Sequence, residues 1–496
     1  MLTPASAPAQ VHETHTGVVL LYGDRAYKVK KSLRTDFLDF STPALRERAC
    51  TRELGLNRRL APDVYVGVAH LSDPAGGPAE PVLVMRRMPE TRRLSELLTG
   101  GHGPTPAASA ALVCLLVRFH DAAACGPEID REGTVTAVRA RWRSLLDPLR
   151  DSQADLVDPD LRARIDRASM RYLDGRAALF DSRIADGYLV DGHGDLLAED
   201  VFELPDGFRI LDCLDFDDRL RYVDRLDDVA FLAMDFEFLG HGALGDRLVA
   251  DYQRMSGDTA PTSLRDHYIA YRSTVRARVD SIRAGQGDPA AGERLRAHLR
   301  IAADRLARGA VRLTLVGGLP GTGKSTLAAE LAAETGAVVL AADHVRKELA
   351  RVDGVPAHIG KFGAGRCSDA NRARVYDELL WRARVLLAGG VSVILDASWT
   401  SVDDRQRAAT TAADASADLV RLHCVCPAEL AHRRIDSRHG HESDATTAIA
   451  DAMAVTAAPW PDATTVDTSG PLADSVATAL HAWHAGTPPV PAATSS

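Results

Sequence analysis

The 496-residue sequence predicts an α+β two-lobed domain followed by an α/β domain built on a parallel sheet. Three observations carry this. A short β-rich stretch, residues 18–90, precedes a long helical one. After Gly309 apolar, β-branched runs alternate with helical stretches. The first of those runs leads straight into "GGLPGTGKST", a glycine-rich loop between a strand and a helix. A chain of this length exceeds one ordinary core, and the change of pattern near residue 308 sets expected domains of 1–307 and 308–496.

Taken in order, Val18–Lys30 holds two β-type runs around the turn "YGDR". "ALRERACTRELGLNRRLAP" (Ala44–Pro62) has helical periodicity and stops at its proline. "EPVLVMRRMPE" (Glu80–Glu90) reads as a strand, and helices follow from about Ser109 to Asp186. "VDGHGDLLAEDVF" (Val190–Phe202) and "FRILDCLDFDD" (Phe208–Asp218) then form a loop-and-strand patch in helical surroundings, and Asp288–Gly309 is a closing helix. Beyond it, "VRLTLVGG", "GAVVLAAD", "GVSVILDAS" and "ADLVRLHCVC" are strands of a parallel sheet covered on both faces.

Composition narrows the function classes. With 46% hydrophobic and 26% charged residues the chain reads as a soluble globular protein. A formal charge of −9 argues against a general nucleic-acid or acidic-membrane binder. No apolar run approaches the ~20 residues a bilayer requires, and "MLTPASAPAQ" lacks a secretory pattern, so a cytoplasmic location is expected. Seven scattered cysteines read as reduced thiols, with "CVC" (Cys424–Cys426) as strand thiols rather than metal ligands. Lysine is scarce, with six in 496 residues, and two of the six, Lys28 and Lys324, fall inside candidate phosphate sites.

The loop Leu315–Thr326 satisfies G-x-x-x-x-G-K-[ST] in the required strand–helix context. Gly318, Leu319, Pro320, Gly321, Thr322, Gly323, Lys324, Ser325 and Thr326 are therefore expected to bind nucleotide phosphates. Glycines let backbone N–H groups turn inward around the oxygens, and the helix N-terminus adds a favourable dipole. Lys324 would neutralise the β/γ-phosphates, and the Ser325 hydroxyl would help hold Mg²⁺. Asp396, ending "VSVILD", stands where a carboxylate would sit beside that metal; Asp343, after "GAVVLAA", would engage an acceptor hydroxyl. Each Asp could instead cap its following helix. "HRRIDSRHGH" offers Arg433, Arg434 and Arg438 as phosphate-clamping arginines, with a solvated charged face as the alternative. This half resembles P-loop kinases of the gluconate-kinase-like and polynucleotide-kinase-like group, through "GGLPGTGKST", "DHVRKEL", "ILDASW" and "ESDAT".

"HGDLLAEDVF" resembles the H-G-D-x-x-x-x-N loop of aminoglycoside phosphotransferases and related choline and sugar kinases, over most of residues 17–240. The resemblance implies a two-lobed kinase-like fold and specific roles. Lys28 would hold ATP phosphates, with Lys30 on the same strand face as a competitor, and Glu53 (or Glu47) would pair with that lysine. Asp195 would engage the acceptor hydroxyl, Asp212 would bind metal, and Asp228 would buttress the site. The family's Asn is Asp200 here, which can still offer Mg²⁺ an oxygen but adds negative charge. The glycine-rich nucleotide lid is not apparent in "HTGVVLLYGDR". The whole chain is similar to bacterial two-domain proteins joining an aminoglycoside-phosphotransferase-like domain to a P-loop domain, through "AYKVKK", "FLDFST", "LNRRLAP" and "DVAFLAMD".

The expectation is a bifunctional ATP- and Mg²⁺-dependent phosphotransferase acting on small hydroxylated acceptors, with no membrane partner. Two alternatives stand beside it: a nucleotide switch with a non-catalytic, ligand-sensing first domain, and a nucleic-acid 5′-end kinase. The clustered carboxylates of Leu214–Asp228 raise drug modification as a further option, although interleaved arginines offer them salt bridges instead.

Overall fold

A computed structural model describes residues 9–13, 16–34, 38–150, 156–352, 369–437 and 446–485. The chain divides into two compact units. The first comprises residues 1–166, 180–260 and 265–305; the second comprises 167–179, 261–264 and 306–496.

The first unit opens with an antiparallel sheet. Its strands are β1 (Gln10–Glu13), β2 (Gly17–Tyr22), β3 (Arg25–Lys30), β4 (Tyr65–Leu71) and β5 (Glu80–Arg86), in the spatial order β1-β2-β3-β5-β4. The β2–β3 hairpin closes through Gly23–Asp24, and Gly23 takes a φ of +60° that suits a residue without Cβ. The helix Pro43–Asn57 starts where Thr42 accepts the Leu45 N–H and Pro43 takes the first position, where its missing donor is harmless. Its buried Cys50 packs with Ala26, Tyr65, Leu83 and Met85 of the sheet. The same helix buries Glu53 and Asn57, two polar groups that need partners.

Two strand pairs frame the loops that matter. β6 (Leu189–Asp191) runs antiparallel to β9 (Tyr222–Asp224), and β7 (Val201–Leu204) to β8 (Gly207–Ile210). Helices Arg225–Phe238, Thr262–Gly285 and Ala291–Arg308 supply the helical body.

In the second unit β10 (Arg312–Gly317), β11 (Val338–Ala341), β12 (Val393–Asp396), β13 (Asp418–Val425) and β14 (Thr464–Asp467) pair parallel throughout, in the order β11-β12-β10-β13-β14. Every residue of β10 is buried, as expected of a central strand covered on both faces. The connection from β10 runs to β11 on one side and that from its neighbour β13 to β14 on the other, so the carboxyl ends of β10 and β13 flank the topological switch point where such sheets bind ligands. No helix among the described residues is long and apolar enough to cross a membrane.

Candidate functional site

In the first unit a chain of contacts converges on the loop after β6. Lys28 on β3 reaches Glu53 Oε1 at 2.7 Å and Asp212 Oδ1 at 3.4 Å. Lys30 reaches Glu53 Oε2 at 2.8 Å and Asp215 at 3.1 Å, so the two lysines share one glutamate. Glu47 is turned to His70 instead. Burial opposes ionisation of Glu53, yet Lys28 and Lys30 outweigh it and hold the carboxyl at about 2. Asn57 and Arg59, from "LNRRLAP", fasten the loops below. Asn57 Oδ1 accepts the Cys213 N–H, and Arg59 donates to the carbonyls of Asp191 and Gly192 at 2.8 Å.

The H-G-D turn itself hangs on Asp228. Both its oxygens accept backbone N–H groups, from His193 at 2.7 Å and Gly194 at 2.9 Å, while His120 sits 3.1 Å from Oδ2. Burial works against this carboxylate, but His120, His193 and Arg272 hold its pKa well below the usual range. Gly194 has φ +85°, and a Cβ there would stand 3.0 Å from Arg221 Cγ, so the turn requires glycine. Arg272 closes the frame, donating to the Gly194 carbonyl at 3.1 Å while forked on Asp227 at 2.8 and 2.9 Å.

Three carboxylates, Asp195, Asp200 and Asp212, are carried by the loops of this frame. The Leu211 N–H donates to the Asp200 carbonyl at 3.0 Å, which sets Asp212 beside Asp200. Asp212 takes a φ of +60°, uncommon outside glycine and a strained geometry that recurs at functional sites. Burial, then the charge of Asp212, pushes Asp200 well above the ordinary aspartate value. Burial also raises Asp195 to about 6, with Arg276 opposing and Asp212 adding. Crowded carboxylates of this kind are stabilised by a cation between them, so the residues fit a bound Mg²⁺. No group of three His, Cys, Asp or Glu side chains among the described residues forms a complete metal cage.

In the second unit the loop after β10 is built for close approach. Gly318, Gly321 and Gly323 have φ values of +144°, +84° and +81°. A Cβ on Gly318 would stand 2.6 Å from the Cys424 carbonyl, and one on Gly321 2.5 Å from that of Ala431. Thr322 is tied inward, its hydroxyl donating to the Leu319 carbonyl at 2.8 Å and its carbonyl accepting the Thr468 hydroxyl at 2.7 Å. The helix Lys324–Thr335 begins immediately after, so its unsatisfied N–H groups and those of the loop form an anion cradle with Lys324 and Ser325 at its rim. Asp396 ends β12 one strand away from this loop and is buried. Asp343 lies in the first turn of the helix Ala342–Val352, paired with Arg346.

The arginines of the helix Ala428–Asp436 divide. Arg434 donates to the Thr468 carbonyl at 2.7 Å and reaches the Gly321 carbonyl at 3.5 Å, bracing the loop, whereas Arg433 is exposed. Arg438 and the "ESDAT" segment lie outside the described residues, apart from Thr446. Sequence reasoning missed Thr468, Arg59, Arg272 and the second lysine's share of Glu53. Arginine and threonine are too common here to stand out.

The two sites sit on two folds: a two-lobed kinase-like unit, with an antiparallel sheet ahead of a helical body, and a P-loop NTPase unit on a parallel sheet. A family model described as "AAA domain" matches residues 313–459. The chain is 48% identical over 473 residues to "uncharacterized protein Rv2004c" of Mycobacterium tuberculosis (strain ATCC 25618 / H37Rv), a match covering 95% of each, and it belongs to that protein's family. Among solved structures it is similar to a sugar kinase from Janibacter sp. HTCC2649, with 23% identity, 35% of this chain, 94% of that one and a TM-score of 0.28. It is also similar to a choline/ethanolamine kinase family protein from Mesorhizobium loti, with 17% identity, 61% of this chain, 92% of that one and a TM-score of 0.37.

Proposed function

We propose that the protein is a phosphotransferase with two ATP- and Mg²⁺-dependent sites, each serving a small hydroxylated acceptor. The observation that carries this reading is the convergence of Lys28, Glu53 and Asp212 within 3.4 Å beneath a loop presenting Asp195 and Asp200. The cradle of the second unit supports it independently. Bound MgATP supplies the transferable phosphoryl group and a metal that offsets its charge.

The chain's own residues do the rest. In the first unit Lys28, oriented by Glu53, binds phosphate oxygens; Asp212 and Asp200 hold the metal; Asp195 takes or orients the acceptor's hydroxyl proton. Asp228 and Arg272 keep that loop in place. In the second unit the backbone N–H groups of residues 318–326 and Lys324 bind phosphate, Ser325 and Asp396 hold the metal, and Asp343 engages the acceptor. Arg433 and Arg438 are assigned to the phosphates of the same site. Positioning and charge stabilisation are what phosphoryl transfer demands of a protein.

The test uses the full chain, because residues 167–179 and 261–264 belong to the second unit and a cut at 308 would remove them. ADP release is measured with Mg²⁺ against sugars, sugar acids, aminoglycosides, nucleosides and oligonucleotides. Each site should respond to an acceptor, with Lys324→Ala silencing one response and Asp195→Asn the other. Acceptor-independent hydrolysis alone would favour the nucleotide-switch reading. The carboxylate at position 200 favours a second reading for the first unit, a ligand sensor, in which Asp195→Asn leaves turnover unchanged and alters only ligand response.

A further inference from the structure

Among the described residues three other than glycine have a φ in the left-handed region, and one of them, Trp399 at +51°, stands three residues after Asp396. A bulky side chain is strained there and persists only where its surroundings over-determine it. Those surroundings are specific. Trp399 is buried, its indole N–H donates to the Leu395 carbonyl at 3.2 Å, and its backbone N–H donates to the Tyr376 hydroxyl at 3.3 Å. Tyr376, on the helix Asp369–Ala388, is buried as well. Its ring meets the indole edge-on at 5.0 Å, and its hydroxyl lies 3.4 Å from Ser398 Oγ.

The turn held in this way is tied to the phosphate loop. The Ser398 carbonyl accepts the Gly318 N–H at 3.2 Å, and the Ala397 N–H donates to the Val316 carbonyl at 3.3 Å. A Cβ on Gly317 would stand 3.2 Å from Trp399 Cβ, so the loop's entry strand and the turn are in close approach. The phosphate loop has further supports in Thr322, Thr468 and Arg434, whereas Asp396 leaves β12 directly into the turn. We infer that Tyr376 and Trp399 are positioning residues of the second site: they hold a strained turn that sets Asp396 at a fixed reach from the phosphate loop, and use of the metal there depends on them. This rests on the reading of Asp396 as a metal carboxylate given above.

The experiment uses the full chain carrying Lys28→Ala, so that nucleotide binding reports the second site. A fluorescent ATP analogue is titrated over a range of Mg²⁺ concentrations and in EDTA. Tyr376→Phe keeps the ring and removes the hydroxyl that holds the Trp399 N–H. It is expected to raise the Mg²⁺ concentration at half-saturation about three- to tenfold, the scale of one lost hydrogen bond, while affinity in EDTA stays within about twofold. In an Asp396→Asn background the same change should add nothing to the Mg²⁺ dependence, because it acts through that carboxylate. Ser398→Ala takes the other hydroxyl from the pair and leaves both rings in place. It should shift the Mg²⁺ dependence the same way by less, and it carries the test if Tyr376→Phe does not fold. An unchanged Mg²⁺ dependence, an equal loss of affinity with and without Mg²⁺, or a full second penalty in the Asp396→Asn background would overturn the inference. Binding that Lys324→Ala fails to weaken would instead remove the nucleotide reading of the second site, and the inference with it.

Discussion

Glu53 is 2% exposed and holds two lysines, one of them itself only 6% exposed. Replacing it by glutamine removes the anion the two lysines share and leaves Lys28 only Asp212 and Lys30 only Asp215; breaking a buried pair in this way costs about 3–5 kcal/mol. Glu53→Gln should therefore unfold the first unit at markedly lower denaturant, read by circular dichroism, as well as abolishing its nucleotide binding. The pH dependence follows with its sign. The folded-state pKa is depressed from 4.5 to about 2, so this stabilisation is complete above pH ~4.5 and is lost as pH falls toward 2. Asp195 behaves oppositely. Its pKa is raised to about 6, so it is protonated below that pH and unable to accept a hydroxyl proton. First-site kcat/KM should fall tenfold per unit below about pH 6 and level off above it, and a flat profile from pH 5 to 8 would remove Asp195 from that role. Lys28, Glu53, Asp195 and Asp212 were legible in the sequence because each sits at a motif position. The sharing of Glu53 by Lys30 was not, since period two shows only that the lysines share a face and not what stands opposite.

Among elements, the strand–loop–helix of the second unit was legible because apolar run, glycines and helix follow without interruption. β1 and β14 were not. β1 exposes all four of its residues, and β14 buries only Val466, so neither carries an alternation that marks a strand. The loop's supports were equally hidden, because Arg434 and Thr468 come from segments remote in sequence. Their geometry makes a prediction. In Gly321→Ala the new Cβ meets the Ala431 carbonyl at 2.5 Å and the residue is held at φ +84°, so the loop must shift off the helix that braces it. Stability should fall by more than about 1 kcal/mol, and second-site nucleotide binding should be lost. Gly323→Ala, with its nearest neighbour at 3.5 Å, should retain more of both. Equal binding of a fluorescent ATP analogue by the two variants would show that backbone closeness at Gly321 is not what shapes the cradle.

On the scale of the whole molecule the two sites handle charge by different means, and that difference can be measured without knowing either acceptor. The first unit offers phosphate one principal cation, Lys28, already engaged by Glu53, and faces it with Asp200 and Asp212. With Mg²⁺ withdrawn, those carboxylates repel the triphosphate. The second unit offers Lys324, a helix N-terminus and backbone donors that carry no counter-charge of their own, with Asp396 as the nearby carboxylate. Chelating Mg²⁺ should thus erase nucleotide binding at the first site and only weaken it at the second. A ligand present at 100 times its Kd stabilises the fold by about 2.7 kcal/mol, a shift that thermal unfolding resolves. ATP with EDTA should therefore still stabilise the Lys28→Ala chain, which lacks the first site's principal cation. It should leave the Lys324→Ala chain where it melts without nucleotide. Residual stabilisation of Lys324→Ala in EDTA would mean that Asp200, standing where the related loops carry asparagine, is protonated when nucleotide arrives and does not impose a dependence on metal.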